Sequence, residues 1–135
     1  MPKDPKNIRL FWAYLEANRR ISAELPGADQ YMTVAILNSF LGVVLWGGDE
    51  KEPLPLEAIA DNLGIAPTTF NAHLGYLGER YRAGKPGMGL VTLEPYLLNR
   101  RMKVAKLTRK GQVVADSLAY ILSGGQPNAN TETPQ

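Results

Sequence analysis

The stretch from Leu56 to Gly111 leaves few folds open, because its apolar period switches from helical to alternating within one short run. It begins LEAIADNLGIAPTTFNAHLGYL, passes through GLVTLEP and closes on NRRMKVAKLTRKG. Pro55 to Leu63 reads as a short helix with Ile59, Ala60 and Leu63 turned inward, the small Ala60 letting a second helix approach. Leu63-Gly64-Ile65 is its turn, since glycine supplies the positive φ that a helix C-terminus favours and Ile65 plugs the core. Ala66-Pro67-Thr68-Thr69 opens the second helix, whose Phe70, Leu74 and Leu77 recur at i, i+4 and i+7. Leu90–Leu93 and Met102–Leu107 then read as two strands around a tip at Glu94–Arg101, and Thr108 caps a final helix. The predicted fold class is mainly α with a small β-hairpin wing, a winged helix-turn-helix of order α-α-(β)-α-α-β-β-α.

The flanking chain fits this frame. Asp4-Pro5 is a helix start, and Ile8, Phe11, Trp12, Leu15 and Ala17 give an apolar stripe on a helix expected to run to Leu25 and stop at Pro26-Gly27. Asp29 is the expected cap of a second helix, Gln30 to Trp46, apolar nearly all round and therefore expected to be covered on most sides. At 16 residues, with polar interruptions, Tyr31–Trp46 is too short for a membrane span, which needs about 20 residues. Gly47-Gly48 ends that helix, and Leu54-Pro55-Leu56 suits a short third strand of a winged sheet. Val113, Val114, Leu118, Ile121 and Leu122 form the apolar face of the last helix. The tail from Ser123 to Gln135 has no large apolar residue and is expected to be disordered. The organisation follows: residues 1–48 as scaffold and dimerisation helices, 49–111 as the winged helix-turn-helix, 112–122 as the C-terminal helix and 123–135 as tail, one structural domain in all.

Composition narrows the chemistry. With no cysteine and a single histidine, His73, disulfides, thiolate sites, histidine metal clusters and an ordinary catalytic triad fall away, and neither metal nor cofactor is expected. No phosphate-binding glycine loop follows a strand, the acidic residues are scattered, and no enzyme is expected. The N-terminus carries no secretory pattern, and a cytoplasmic protein is expected. Net charge is only +2, yet Arg80–Lys110 holds nine cations against Glu94 alone, a local +8, while Asp49–Asp61 carries −4. A basic segment on a nearly neutral chain is the footprint of a polyanion binder.

Placed on the predicted elements, Thr68, Thr69, Asn71 and Ala72 face outward at the start of the second motif helix, where base edges and phosphates are reached. Arg100 and Arg101 are expected at the wing tip, suited to a minor groove, with Lys103 and Lys106 suited to phosphates. Tyr76 is open between DNA backbone contact and core cover. His73 is open between a hydrogen-bonded structural role and DNA contact.

The order of these pieces resembles the MarR family of bacterial winged-helix transcription regulators, over roughly Tyr31 to Leu122. The wing carries most of the resemblance: Asn99, Arg100, Arg101, Val104, Leu107, Thr108 and Gly111 stand where the family has an acidic-Arg-Arg run, alternating aliphatics and Leu-Thr-x-x-Gly. Gly89-Leu90-Val91 matches the usual wing entry, and Ile59-Ala60 with Leu63-Gly64-Ile65 the helix-turn-helix. The resemblance implies double-stranded DNA as partner, a homodimer, and Phe11, Trp12 and Leu15 with Val114, Leu118 and Ile121 at the dimer interface. Sequence-specific duplex binding with repression as output is the function expected, and any small-molecule effector is left unidentified. Three departures stand out: Asn99 in place of an acid, about eight extra residues at Tyr81–Met88, and a C-terminus one helix short. The rival class is a winged-helix module for protein assembly, against which the +8 segment argues.

Overall fold

Helix starts and stops follow local capping chemistry. The computed structural model describes residues 4–27, 30–48, 54–82, 84–96 and 99–124. The Asp4 carboxylate accepts from the Lys6 amide at 2.9 Å, and Pro5 opens helix α1 (Pro5–Ser22). This helix ends short of Leu25, because Ala23 and Glu24 turn back onto the Arg19 and Ile21 carbonyls. Helix α2 (Val34–Trp46) begins later than Gln30. Thr33 caps it, its hydroxyl accepting from the Ile36 amide at 3.1 Å, while the expected cap Asp29 lies outside the described residues. Nor is α2 covered on most sides. Ile36, Phe40 and Val43 are buried, whereas Val34 and Leu45 are each 65% exposed, because α3, α4 and β4 pack on one side of it.

Helix α3 (Leu56–Leu63) follows Pro55, and Gly64 ends it at φ 76° in the left-handed region, as the turn requires. Ile65 closes the turn through its amide to the Ala60 carbonyl but is only half-buried. Helix α4 (Pro67–Leu77) buries Phe70, Leu74 and Leu77, the predicted stripe. Full burial of such side chains contributes about 1.5–3 kcal/mol each, which fixes α4 against α2 and α3.

Two antiparallel hairpins follow. The order read from the sequence places one hairpin after α4, and the structure adds another before it: β1 (Arg80–Arg82) pairs with β2 (Lys85–Pro86). The wing is β3 (Val91–Tyr96) with β4 (Asn99–Leu107), in one register from Val91 opposite Leu107 to Pro95 opposite Lys103, after which the register shifts and Tyr96 stands opposite Asn99. Strand pairing therefore continues into the expected tip, with Arg100 to Met102 at the register shift, and positions 97 and 98 lie outside the described residues. The short third strand reduces to one bridge, Pro55 to Val104. Val104 and Ala105, neighbours on β4, are both buried, so both faces of that strand are covered.

Helix α5 (Arg109–Leu122) is capped as predicted, with the Thr108 hydroxyl accepting from the Gly111 amide at 2.9 Å. The chain forms two compact units, residues 25–112 in one and 1–24 with 113–135 in the other. Helix α2 thus belongs with the helix-turn-helix rather than with α1. In the smaller unit Ala17, Ile21, Val114 and Leu118 are buried, while Phe11 and Trp12 are 64% and 53% exposed. No helix among the described residues is long and apolar enough to cross a membrane. Most of the tail, residues 125–135, lies outside the described part.

Candidate nucleic-acid interface

The candidate surface lies where the first turns of α4 meet the wing. Pro67 fixes the first turn of α4, and burial of Phe70 and Leu74 turns the opposite side outward, so Thr68, Thr69, Asn71 and Ala72 are all exposed. A cleft of about 370 Å³ separates this turn from the wing. Pro67 and Asn71 line it from α4, Leu56 and Glu57 from α3, and Leu93, Arg101, Met102 and Lys103 from the hairpin. The helix N-terminus carries unpaired amides and a partial positive charge, and Arg101 and Lys103 add full charges nearby. Exposed hydroxyls, an amide side chain, a helix N-terminus and two cations on one surface suit contact with a phosphate backbone and the bases beside it.

The wing is held to the rest by hydrogen bonds that explain its sequence. The Thr108 hydroxyl donates to the Gly89 carbonyl at 2.7 Å while accepting from Gly111, and the Thr108 amide donates to the Leu90 carbonyl at 3.0 Å. Gly111 carries no Cβ because one would overlap the Leu90 carbonyl oxygen. The Lys110 ammonium donates to the Met88 carbonyl at 2.9 Å, which gives it a place in this joint. Asn99 holds the hairpin through its side-chain oxygen, which accepts from the Arg101 backbone amide at 3.1 Å.

The predicted site residues divide accordingly. Arg101 and Lys103 are exposed on β4, Lys103 opposite Pro95 as a strand residue and Arg101 at the register shift just before it rather than at the tip itself. Arg100 also stands in β4, its side chain outside the described part. Lys106 meets the Glu94 carboxylate at 3.1 Å, so part of its charge is answered within the wing. The Tyr76 hydroxyl accepts from the Tyr31 amide at 3.0 Å and donates to the Tyr31 carbonyl at 2.8 Å. These bonds make it a tie between α4 and the segment before α2. Leu93 and Met102, which alternation alone marks as strand residues, line the cleft; only the pairing of the wing with α3 and α4 reveals them.

His73 lies on the inner flank of α4, its Nδ1 2.8 Å from the hydroxyl of fully buried Ser39 on α2. Burial holds its pKa below the ordinary 6.5. A lowered folded-state pKa means the unfolded chain binds the proton more readily. The stability His73 contributes is then complete above pH 6.5 and is lost as pH falls from there through the lowered value. The loss of melting temperature on going from about pH 7 to about pH 5 is expected to be shallower in His73→Asn. Parallel curves for the two proteins would contradict this.

Compared by sequence, the chain matches no family model and none of the curated proteins. Compared by structure, it superposes on the transcriptional repressor CouR bound to a 23-mer DNA duplex, with TM-score 0.56 and 21% identity over 94% of this chain and 74% of that one. It also superposes on a MarR-like transcriptional regulator from Thermotoga maritima, with TM-score 0.54 and 21% identity over 98% and 85%. A MarR regulator from Methanosarcina mazei Go1 gives TM-score 0.54 and 15% identity over 98% and 85%. The chain has the MarR-type winged-helix fold. Within that fold, α3 and α4 are the helix-turn-helix and β3–β4 the wing. The MarR-like run from Asn99 to Gly111 supplies the second wing strand and the joint that fastens it to α5. The β1–β2 hairpin occupies the stretch where the sequence departs from the MarR pattern.

Proposed function

We propose that this chain is a sequence-specific double-stranded DNA-binding transcriptional regulator, acting in the cytoplasm as a homodimer, with repression as its output. The observation that carries the proposal is the placement of the exposed first turns of α4 beside the exposed cations Arg101 and Lys103 of the wing. In this reading α4 enters the major groove and Thr68, Thr69, Asn71 and Ala72 face base edges, while the wing takes the adjoining backbone and minor groove. The likeness to CouR, a repressor by name, supports the choice of repression. Mobility shift on duplexes from the chain's own upstream DNA, at two salt concentrations, tests the proposal. Specific binding that weakens steeply with salt is expected. A protein with no preference for duplex DNA is instead a module for protein assembly.

The dimer reading rests on α1. Phe11, Trp12 and Leu15, with Ile8, form an exposed apolar face that also lines a shallow groove. Exposed apolar area of this kind marks an association surface. On α5 the exposed apolar side chains are Val113 and Leu122, whereas Val114 and Leu118 are buried within the chain and Ile121 is half-buried. The α5 share of an interface therefore falls to Val113, Ile121 and Leu122. Sedimentation of Phe11→Glu/Trp12→Glu is expected to give half the wild-type mass. An unchanged dimer would remove α1 from the interface.

A further inference from the structure

The ring of His73 is held from one side only. Its Nδ1 lies 2.8 Å from the Ser39 hydroxyl. Among the described residues the ring makes no other hydrogen bond, and no buried side-chain nitrogen or oxygen there lacks a partner. The half-buried residue therefore keeps Nε2, on the far side of the ring, open to solvent.

The Ser39 bond selects which ring nitrogen carries the hydrogen. Ser39 is fully buried, and among the described residues its hydroxyl meets His73 alone. A buried O–H that donates to nothing is costly. Donation from Ser39 to Nδ1 satisfies both groups, and the neutral ring then carries its hydrogen on Nε2. Burial favours that neutral ring, holding its pKa below the ordinary 6.5. The elements packed on α4 supply little to oppose this. Helix α2 has no titratable side chain, β1 has no acidic residue, and the α3 carboxylates Glu57 and Asp61 are exposed.

The position of the ring on α4 supplies the partner. His73 follows Thr69 by four residues, so the two are neighbours along the helix surface. Thr69 and Ala72 are exposed while Leu74 and Leu77 are buried, which puts His73 at the border of the outward side. With α4 in a major groove, the outward side reaches base edges and the flank faces the phosphates of the groove wall. A fixed N–H donor on that flank matches a phosphate oxygen.

We propose that His73 is a phosphate-binding residue of the duplex interface, with Nε2–H donating to a phosphate oxygen and buried Ser39 setting the tautomer. This rests on the DNA-binding reading above and adds a neutral contact to the charged ones of the wing.

One histidine in the chain lets its imidazole nitrogens be read by NMR from isotope-labelled histidine without ambiguity. The full chain is measured at about pH 7.5, where the ring is neutral, alone and with a duplex that the wild type selects from a random pool. The free protein is expected to carry its hydrogen on Nε2, and bound duplex to shift the Nε2–H resonance and slow its exchange with water. A free ring with its hydrogen on Nδ1, or an Nε2–H unmoved by bound duplex, overturns the contact alone. His73→Asn separates the two sides of the ring, because its side-chain oxygen replaces Nδ1 as acceptor for Ser39 while the outward donor is lost. This variant is expected to melt near wild type and to bind about tenfold more weakly. Its salt slope is expected to be unchanged, since a neutral donor releases no counterion. Equal affinity for wild type and His73→Asn overturns the contact, and the wild-type spectra decide the matter should the variant fold poorly. Ser39→Ala is expected to give mixed tautomers, and a ring still wholly Nε2–H there overturns the part given to Ser39. A wild type that selects no duplex overturns the DNA reading and the contact with it.

Discussion

Gly111→Ala is expected to lower the melting temperature by roughly 10 °C, from a cost of about 3 kcal/mol, and Gly111→Val to prevent stable folding. The reason is local and severe. A Cβ at Gly111 would overlap the Leu90 carbonyl oxygen and sit 2.9 Å from the Leu90 carbonyl carbon, and both are backbone atoms with no rotamer to change. Leu90 is itself fully buried, and its carbonyl already accepts from the Thr108 amide. The first turn of α5 would have to lift away from the wing entry, breaking the two Thr108 hydroxyl bonds that join strand, helix and Gly89. A cost of this size is a large fraction of the roughly 5–15 kcal/mol that holds a domain folded. Thermal unfolding followed by circular dichroism checks it, and an alanine variant melting within a degree or two of wild type would show that the joint yields.

Arg101→Ala/Lys103→Ala is expected to weaken duplex binding by about ten- to a hundredfold while leaving the melting temperature near wild type. Both side chains are exposed on β4, so their removal disturbs little packing. Each phosphate that is no longer neutralised should lower the slope of log affinity against log salt by about one. Fluorescence anisotropy across a salt series measures affinity and slope together. Lys106→Ala is the informative comparison. Lys106 is already engaged by Glu94, so its removal should change the slope less than removal of Lys103. Equal slopes for wild type and the double variant would take the wing out of the binding surface.

Much of the fold is legible in the residues, for identifiable reasons. Phe70, Leu74 and Leu77 at helical spacing fix the inner face of α4, and thereby which residues face out. Gly64 marks the turn because the chain there needs a positive φ. Thr108 marks the start of α5 because its hydroxyl can satisfy an amide of the first turn. Each of these signals acts within one or two turns of chain.

The features that local pattern misplaces depend on partners far along the chain. The apolar content of α2 suggests cover on most sides, yet burial is set by which elements lie against it, and Val34 and Leu45 remain exposed. Val114 and Leu118 read as interface residues, but the same apolar periodicity serves an internal core equally well. The arginines read as wing-tip residues because strand ends are poorly marked in sequence; pairing of Tyr96 with Asn99 puts them within β4. The glycines and proline between Arg80 and Met88 suggest a loop, and only the backbone bonds to the end of α4 make the segment a hairpin.

The sequence by itself determined the winged helix-turn-helix order and the concentration of cations between Arg80 and Lys110, because capping, periodicity and charge are properties of neighbouring residues. The tertiary structure decided which of those cations share a surface with the start of α4, which apolar faces are left open on α1, and that a second hairpin stands at the far end of α4. These are distances between segments remote in sequence. They are set by packing and hydrogen bonds across the fold, which no local pattern encodes.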